Sequence, residues 1–227
     1  MFGVSQKYSV CVIDIGSPRL GRLGWCLMGA EGGDPLVGVN LDDLVPVLAS
    51  QLETSGVLLG FEAPLCVPLR QDLMLSLKAR KGEARRPWSA GAGAQVLAMN
   101  LPIMTYLLKE LSRLSQNLNV FLNETDFQAN PKEVMIFEAL VSGVDKGASH
   151  IEDAEIMAAY CMKFAQQLKL PPSILEEEDG TDFLNLAAAS LLRCGLIDQI
   201  EALNLFSPIY KPSGAISANA VYLKAPT

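Results

Sequence analysis

Three short apolar runs in this chain each end in a single acid: VCVID closes on Asp14, VLLGFE on Glu62 and VMIFE on Glu138. Runs this short and apolar, bounded by Gly, Pro and Asn, read as buried strands. A carboxylate at the tip of such a strand costs free energy unless it is paired or holds a cation. In open α/β sheets ligands bind at the carboxyl ends of the strands, so three parallel neighbours would bring these acids together.

The segments between the runs fit that sheet. The opening reads as a meander: a strand over 8–15, a Gly-rich turn over 16–24, a strand over 25–28 and a shorter run over 36–39. Asn40 is placed to cap a helix whose Leu41, Leu44, Val45, Leu48 and Leu52 recur at helical spacing. The spacing predicts further helices over 102–116, with Pro102 in the first turn, over 151–168, and over 182–194, the last apolar nearly all round. A final extended segment falls over 220–224. With neither an internal repeat nor a long linker, residues 1–227 read as one domain of a mixed α/β sheet flanked by helices, with a basic insertion near 66–100.

Half of the residues are hydrophobic and 19% are charged, the balance of an ordinary globular protein. No apolar run reaches the roughly 18–20 residues needed to span a bilayer, and the start lacks the pattern of a signal peptide. The expectation is a cytoplasmic protein that does not enter membranes. The five cysteines are scattered without a Cys-x-x-Cys pair and read as free buried thiols. The chain has one histidine, His150, which excludes a site built on several imidazoles. A bound metal would need oxygen ligands, which selects Mg2+ or Mn2+.

The net charge of −7 argues against an overall basic surface for nucleic acid, yet the window 70–86 holds six basic residues against two acids. Arg70, Arg80, Arg85 and Arg86 are therefore candidates to bind phosphates, and Trp88 offers a face for a base. The alternative is a solvated loop. Ser17 and Arg19, in the turn after Asp14, are placed near enough in the chain to reach a phosphate.

Asp153 joins the acids, because Asp153, Met157, Tyr160 and Phe164 share one helical face directed at the sheet. Four convergent carboxylates repel one another. Two divalent cations about 3.5–4 Å apart would relieve this, activate a water and stabilise the leaving oxygen of a phosphodiester. Each acid also has a structural account: Asp14 a turn with Gly16, Asp153 a helix cap, Glu62 or Glu138 an ion pair with an arginine of the basic segment. Asp182 is a rival to Asp153 as the late acid, although it or Thr181 also suits a helix cap. His150, three residues before Asp153, is either a proton shuttle or a surface residue near the helix start.

In this order and spacing, VIDIGSPRLGRLGW, GFEAPLCVPLR, VMIFEALVSG and SHIEDAEIMAAY resemble the uncharacterised bacterial proteins grouped as predicted nucleases of the ribonuclease H-like superfamily, over residues 8–196. The resemblance implies a mixed five-stranded sheet flanked by helices, with acids on the first and fourth strands and on a late helix holding two metal ions. Asp14, Glu62 and Asp153 take those places, and Glu138, on the implied fifth strand, is an extra acid of the subgroup. The implied function is metal-dependent hydrolysis of nucleic acid, with Asp14, Glu62, Glu138 and Asp153 as catalytic and metal-binding acids. Two alternatives stay open: a non-catalytic nucleotide or nucleic-acid binding module of the same fold, and a relative of the actin-like ATPases, which share the acid-x-Gly turn seen at Asp14. The oligomeric state, monomer or homodimer, is not fixed by the sequence.

Overall fold

The computed structural model describes residues 3–83, 87–142, 145–176 and 181–212. Strands β1 (Ser9–Asp14), β2 (Gly24–Met28) and β3 (Leu36–Gly38) form an antiparallel meander. Helix α1 (Leu41–Leu52) then returns the chain to β4 (Val57–Glu62), which lies parallel to β1 on its other side. Asn40 caps α1 as its position implied, its side-chain oxygen accepting from the Asp42 N–H at 3.0 Å. After β5 (Cys66–Leu69), helix α2 (Gly93–Leu114) and the short β6 (Asn119–Phe121), strand β7 (Glu133–Ala139) pairs parallel to β4. Helix α3 (His150–Ala165), β8 (Asp182–Asn185), α4 (Leu186–Cys194) and β9 (Ile209–Tyr210) complete the order.

The main sheet runs β3-β2-β1-β4-β7, with β6 parallel to the first half of β7 and β9 parallel to its last two residues. It is a mixed sheet of parallel and antiparallel strands flanked by helices. Its central strands are apolar on both faces because both faces are covered. Cys11, Ile13, Leu59, Phe61, Val134 and Ile136 face a core shared with α1, α2 and α4. Val10, Val12, Leu58, Met135 and Phe137 face the other core, filled by Ala154, Met157 and Cys161 of α3.

Several boundaries differ from the sequence reading. The helix expected over 102–116 starts nine residues earlier, at Gly93, and Pro102 lies inside it. Proline there forfeits one backbone bond. The burial of Ile103, Met104, Leu107 and Leu108, with Val96 and Met99 packed on the same core, carries the helix through. The helix expected over 182–194 is split: residues 182–185 form β8, antiparallel to β5, and Asn185 caps α4 by accepting from the Ala188 N–H at 3.0 Å. Asp182 is therefore an exposed strand residue. The segment 220–224 lies outside the described residues. No helix among the described residues is long and apolar enough to cross a membrane.

Gly24 sets the closest approach between sheet and helix. A Cβ on this residue would lie 2.3 Å from the His150 carbonyl carbon and 2.4 Å from the Ile151 nitrogen, so only glycine lets the first turn of α3 rest on β2. Gly24→Ala is expected to lower the unfolding free energy by about 1–3 kcal/mol through overpacking, read by urea denaturation. A substitution without effect would mean that α3 shifts freely over the sheet.

Candidate metal centre

Register decides which strand-end acids meet. Asp14 pairs with Glu62 across β1 and β4, and both occupy positions of the α3-facing set, in step with Val10, Val12 and Leu58. Side chains alternate across a strand with a period of two, so both carboxylates emerge on the same side of the sheet. Asp153, in the first turn of α3, reaches the same place from above. One oxygen from each of Asp14, Glu62 and Asp153 lies within 4.8 Å of the other two.

Glu138 is not in this cluster, which corrects the four-acid expectation. It pairs with Phe61 and not with Glu62, one residue out of step, and shares the phase of Val134 and Ile136 on the opposite face. There it meets Arg80, which donates from Nη2 to Glu138 Oε1 at 2.6 Å and from Nη1 to Glu138 Oε2 at 2.8 Å. Arg80 Nη2 also contacts Glu83 Oε1 at 2.5 Å, and the Leu65 N–H donates to Glu138 Oε2 at 2.9 Å. Burial works against the Arg80 charge, but Glu138 and Glu83 outweigh it and raise its pKa.

Within the basic segment Arg70 and Arg80 turn inward, while Lys78 and Lys81 are exposed. Arg80, expected to bind phosphate, is only 1% exposed. Arg70, also buried, donates to the carbonyls of Leu75, Lys78 and Ala79 at 2.7–2.9 Å and ties its own loop together. A guanidinium with five donors is the side chain best able to satisfy several converging acceptors in an interior, and that use competes with substrate contact. Arg85 and Arg86 lie outside the described residues. Arg19 is exposed and Ser17 half-buried in the turn after β1, and Trp88 is half-buried.

Lys146 and His150 border the acid cluster. Lys146 Nζ lies 3.1 Å from Asp153 Oδ2 and 3.5 Å from Glu62 Oε1. His150 Nδ1 lies 2.6 Å from Asp14 Oδ2, so the histidine faces the site and not merely the surface. The Gly147 N–H donates to Asp153 Oδ1 at 2.6 Å, and the Ser149 hydroxyl caps α3 by accepting from Glu152 N–H. Glu62 Oε2 is buried without a hydrogen-bond partner among the described residues. Burial, and then the charges of Asp14 and Asp153, push the Glu62 carboxyl up to about 9, with Lys146 opposing. Burial also raises Asp14, against the lowering pull of His150.

Sequence reasoning did not single out Lys146 or Glu83. Glu83 stands three residues after Arg80, the spacing of a local ion pair, so it was findable. Lys146 sits alone in a loop, and no sequence spacing ties it to Glu62.

The three acids could hold a metal ion. Oxygens on opposite sides of one ion lie about 4.0–5.2 Å apart, given metal–oxygen distances of about 2.0–2.6 Å, which matches the spread of the three acids. Three carboxylates face one ammonium and one imidazole among the described residues.

Glu62 holds its proton more tightly in the folded chain, so its stabilising contribution is complete below its ordinary value of about 4.5 and is lost as pH rises through about 9. In chelator, the melting temperature should fall between pH 5 and pH 9, and Glu62→Gln should flatten that fall; a flat wild-type profile would show that Lys146 already neutralises the acids. Arg80→Met, which leaves Glu83 and Glu138 buried together, is expected to cost about 3–5 kcal/mol in urea unfolding. A loss below about 1 kcal/mol would show that the pair adds nothing over apolar packing. Among known proteins, no family model, no curated protein and no solved structure matches the chain.

Proposed function

We propose that the chain is a divalent-metal-dependent phosphodiesterase acting on nucleic acid. The observation that carries this reading is the meeting of Asp14, Glu62 and Asp153 from two strand ends and a helix start, with oxygens within 4.8 Å. The ribonuclease H-like resemblance is supported by the antiparallel meander followed by parallel β4 and β7, and by acids on the first strand, the fourth strand and a late helix.

Asp14, Glu62 and Asp153 would hold Mg2+ or Mn2+. Such a cation, when bound, supplies Lewis-acid stabilisation of the charge that develops on the phosphodiester oxygens. The three acids furnish donors for one ion outright; a second ion, as the resemblance implies, would need oxygens from the substrate phosphate. In the neutral tautomer that donates Nδ1–H to Asp14, His150 would use Nε2 to take the proton of the attacking water as its oxygen bonds to phosphorus and the bond to the leaving sugar oxygen breaks. Lys146 Nζ, beside Glu62 and Asp153, would pair with a non-bridging phosphate oxygen. The alternative of a non-catalytic binding module draws support from the same lysine, whose ammonium already offsets part of the acid charge.

Calorimetric titration with Mn2+ separates these readings. Wild type should bind the ion and cleave oligonucleotides in its presence. Since losing even an outer hydrogen-bond partner of a metal ligand costs about 10–100-fold in affinity, Asp14→Asn should lose about 100-fold or more and all cleavage, with its circular dichroism spectrum intact. Absence of any Mn2+ heat in wild type would remove the metal reading and leave the binding module.

A further inference from the structure

From the acid cluster a cavity of about 230 Å³ extends between the ends of β4 and β7 and the first turn of α2. One end is polar, lined by Asp14, Glu62, Lys146 and His150. The rest is walled mainly by apolar groups, among them Pro64, Pro87, Trp88, Val96, Leu140 and Val141, with Glu83 and Glu138, both paired to Arg80, also on the lining. Drug-sized ligands occupy roughly 300–1,000 Å³, so this space takes one small unit and not a run of stacked bases.

Two residues that line it carry a buried polar atom with no hydrogen-bond partner among the described residues: Glu62 at Oε2 and Trp88 at Nε1. Buried groups of this kind are rare in folded proteins and are commonly satisfied by a bound molecule or an ion. The wall is also preformed. A Cβ on Gly93 would lie 2.0 Å from the Trp88 carbonyl oxygen, so the turn carrying Trp88 is packed directly on the start of α2. The Trp88 backbone N–H donates to Glu83 Oε2 at 3.1 Å, which fastens the same turn to the Arg80–Glu138 pair beneath.

Resting on the phosphodiesterase reading, we propose that this cavity receives a single unstacked nucleotide of the substrate, its base packed against the Trp88 indole and its phosphate at the Asp14–Glu62–Asp153 end. A planar, largely apolar base with polar edges matches the far wall, and a phosphate is the group that a cation-loaded acid cluster holds. A base inside an intact duplex is stacked on both faces and does not enter such a space without being turned out of the helix. The substrate is accordingly a single strand or a strand end.

Trp88 reports on its own occupancy, because the other tryptophan, Trp25, is 4% exposed and its Nε1 is bonded to the Asn40 carbonyl. Adenosine alone, and adenosine monophosphate with Mg2+, should quench wild-type tryptophan emission saturably. By calorimetry, Trp88→Ala should weaken both by about 5- to 150-fold, the range for a lost base–aromatic stack. Ala92→Trp, at an exposed position on the cavity rim, should block both ligands while leaving the unfolding transition in place. Mg2+ binding without quenching by either ligand would overturn the cavity assignment and leave the metal reading standing. Quenching by adenosine in a protein that takes up no Mg2+ would uphold the base site and remove the phosphodiesterase. Cleavage of a covalently closed duplex as fast as of a single strand would overturn the proposal.

Discussion

The parallel pairing of β1 with β4 is the constraint on which the rest of this structure turns. Because Asp14 and Glu62 are register partners, they must project from the same face at the same height. The buried core around them leaves no freedom to separate the charges. Burial raises both pKa values, the charge of Asp153 adds to each and that of Asp14 adds to Glu62, and the neighbourhood answers with Lys146, His150 and the N-terminal turn of α3. Gly24, which is the β2 partner of Asp14, allows that turn to lie close enough to respond.

A second ionic group stands back to back with the first. Glu138 comes from the next strand but from the other face, where Arg80 links it to Glu83 and to the carbonyl of Cys66. A buried arginine between two carboxylates is demanding, since desolvating each charge costs several kcal/mol and only close, bidentate geometry offsets it. Its benefit here is positional. The pair pins the loop after β5 and, through Glu83, the turn carrying Trp88, so the wall of the cavity is fixed by the same contacts that neutralise Glu138. Opposite faces of one sheet thus serve different ends: one gathers three acids beside Lys146 and His150, the other sets two acids around one buried arginine.

Much of this was legible in the residues themselves. Apolar runs ending in VCVID, VLLGFE and VMIFE identify the three central strands, and the helical stripe after Asn40 identifies α1, because burial on two faces or on one stripe leaves a direct imprint on composition and period. Asp14, Glu62 and Asp153 stand out for the same reason, as charges where the pattern calls for apolar groups. The short strands β5, β6, β8 and β9 left no such imprint. Two to four residues are too few to show a period, and their pairing partners lie far away in the chain, as with β8 on β5.

The sequence by itself determined that three buried strands would end in acids and that any metal would be held by oxygen, since strand burial and ligand chemistry are properties of the residues alone. Only the tertiary structure decided that Glu138 stands apart from Asp14 and Glu62, that Arg80 is an interior counter-ion and that Lys146 closes the site. The physical reason is the two-residue period of a strand: a shift of one residue between β4 and β7 sends identical-looking acids to opposite faces, and that shift is fixed by long-range packing which no local stretch of sequence records.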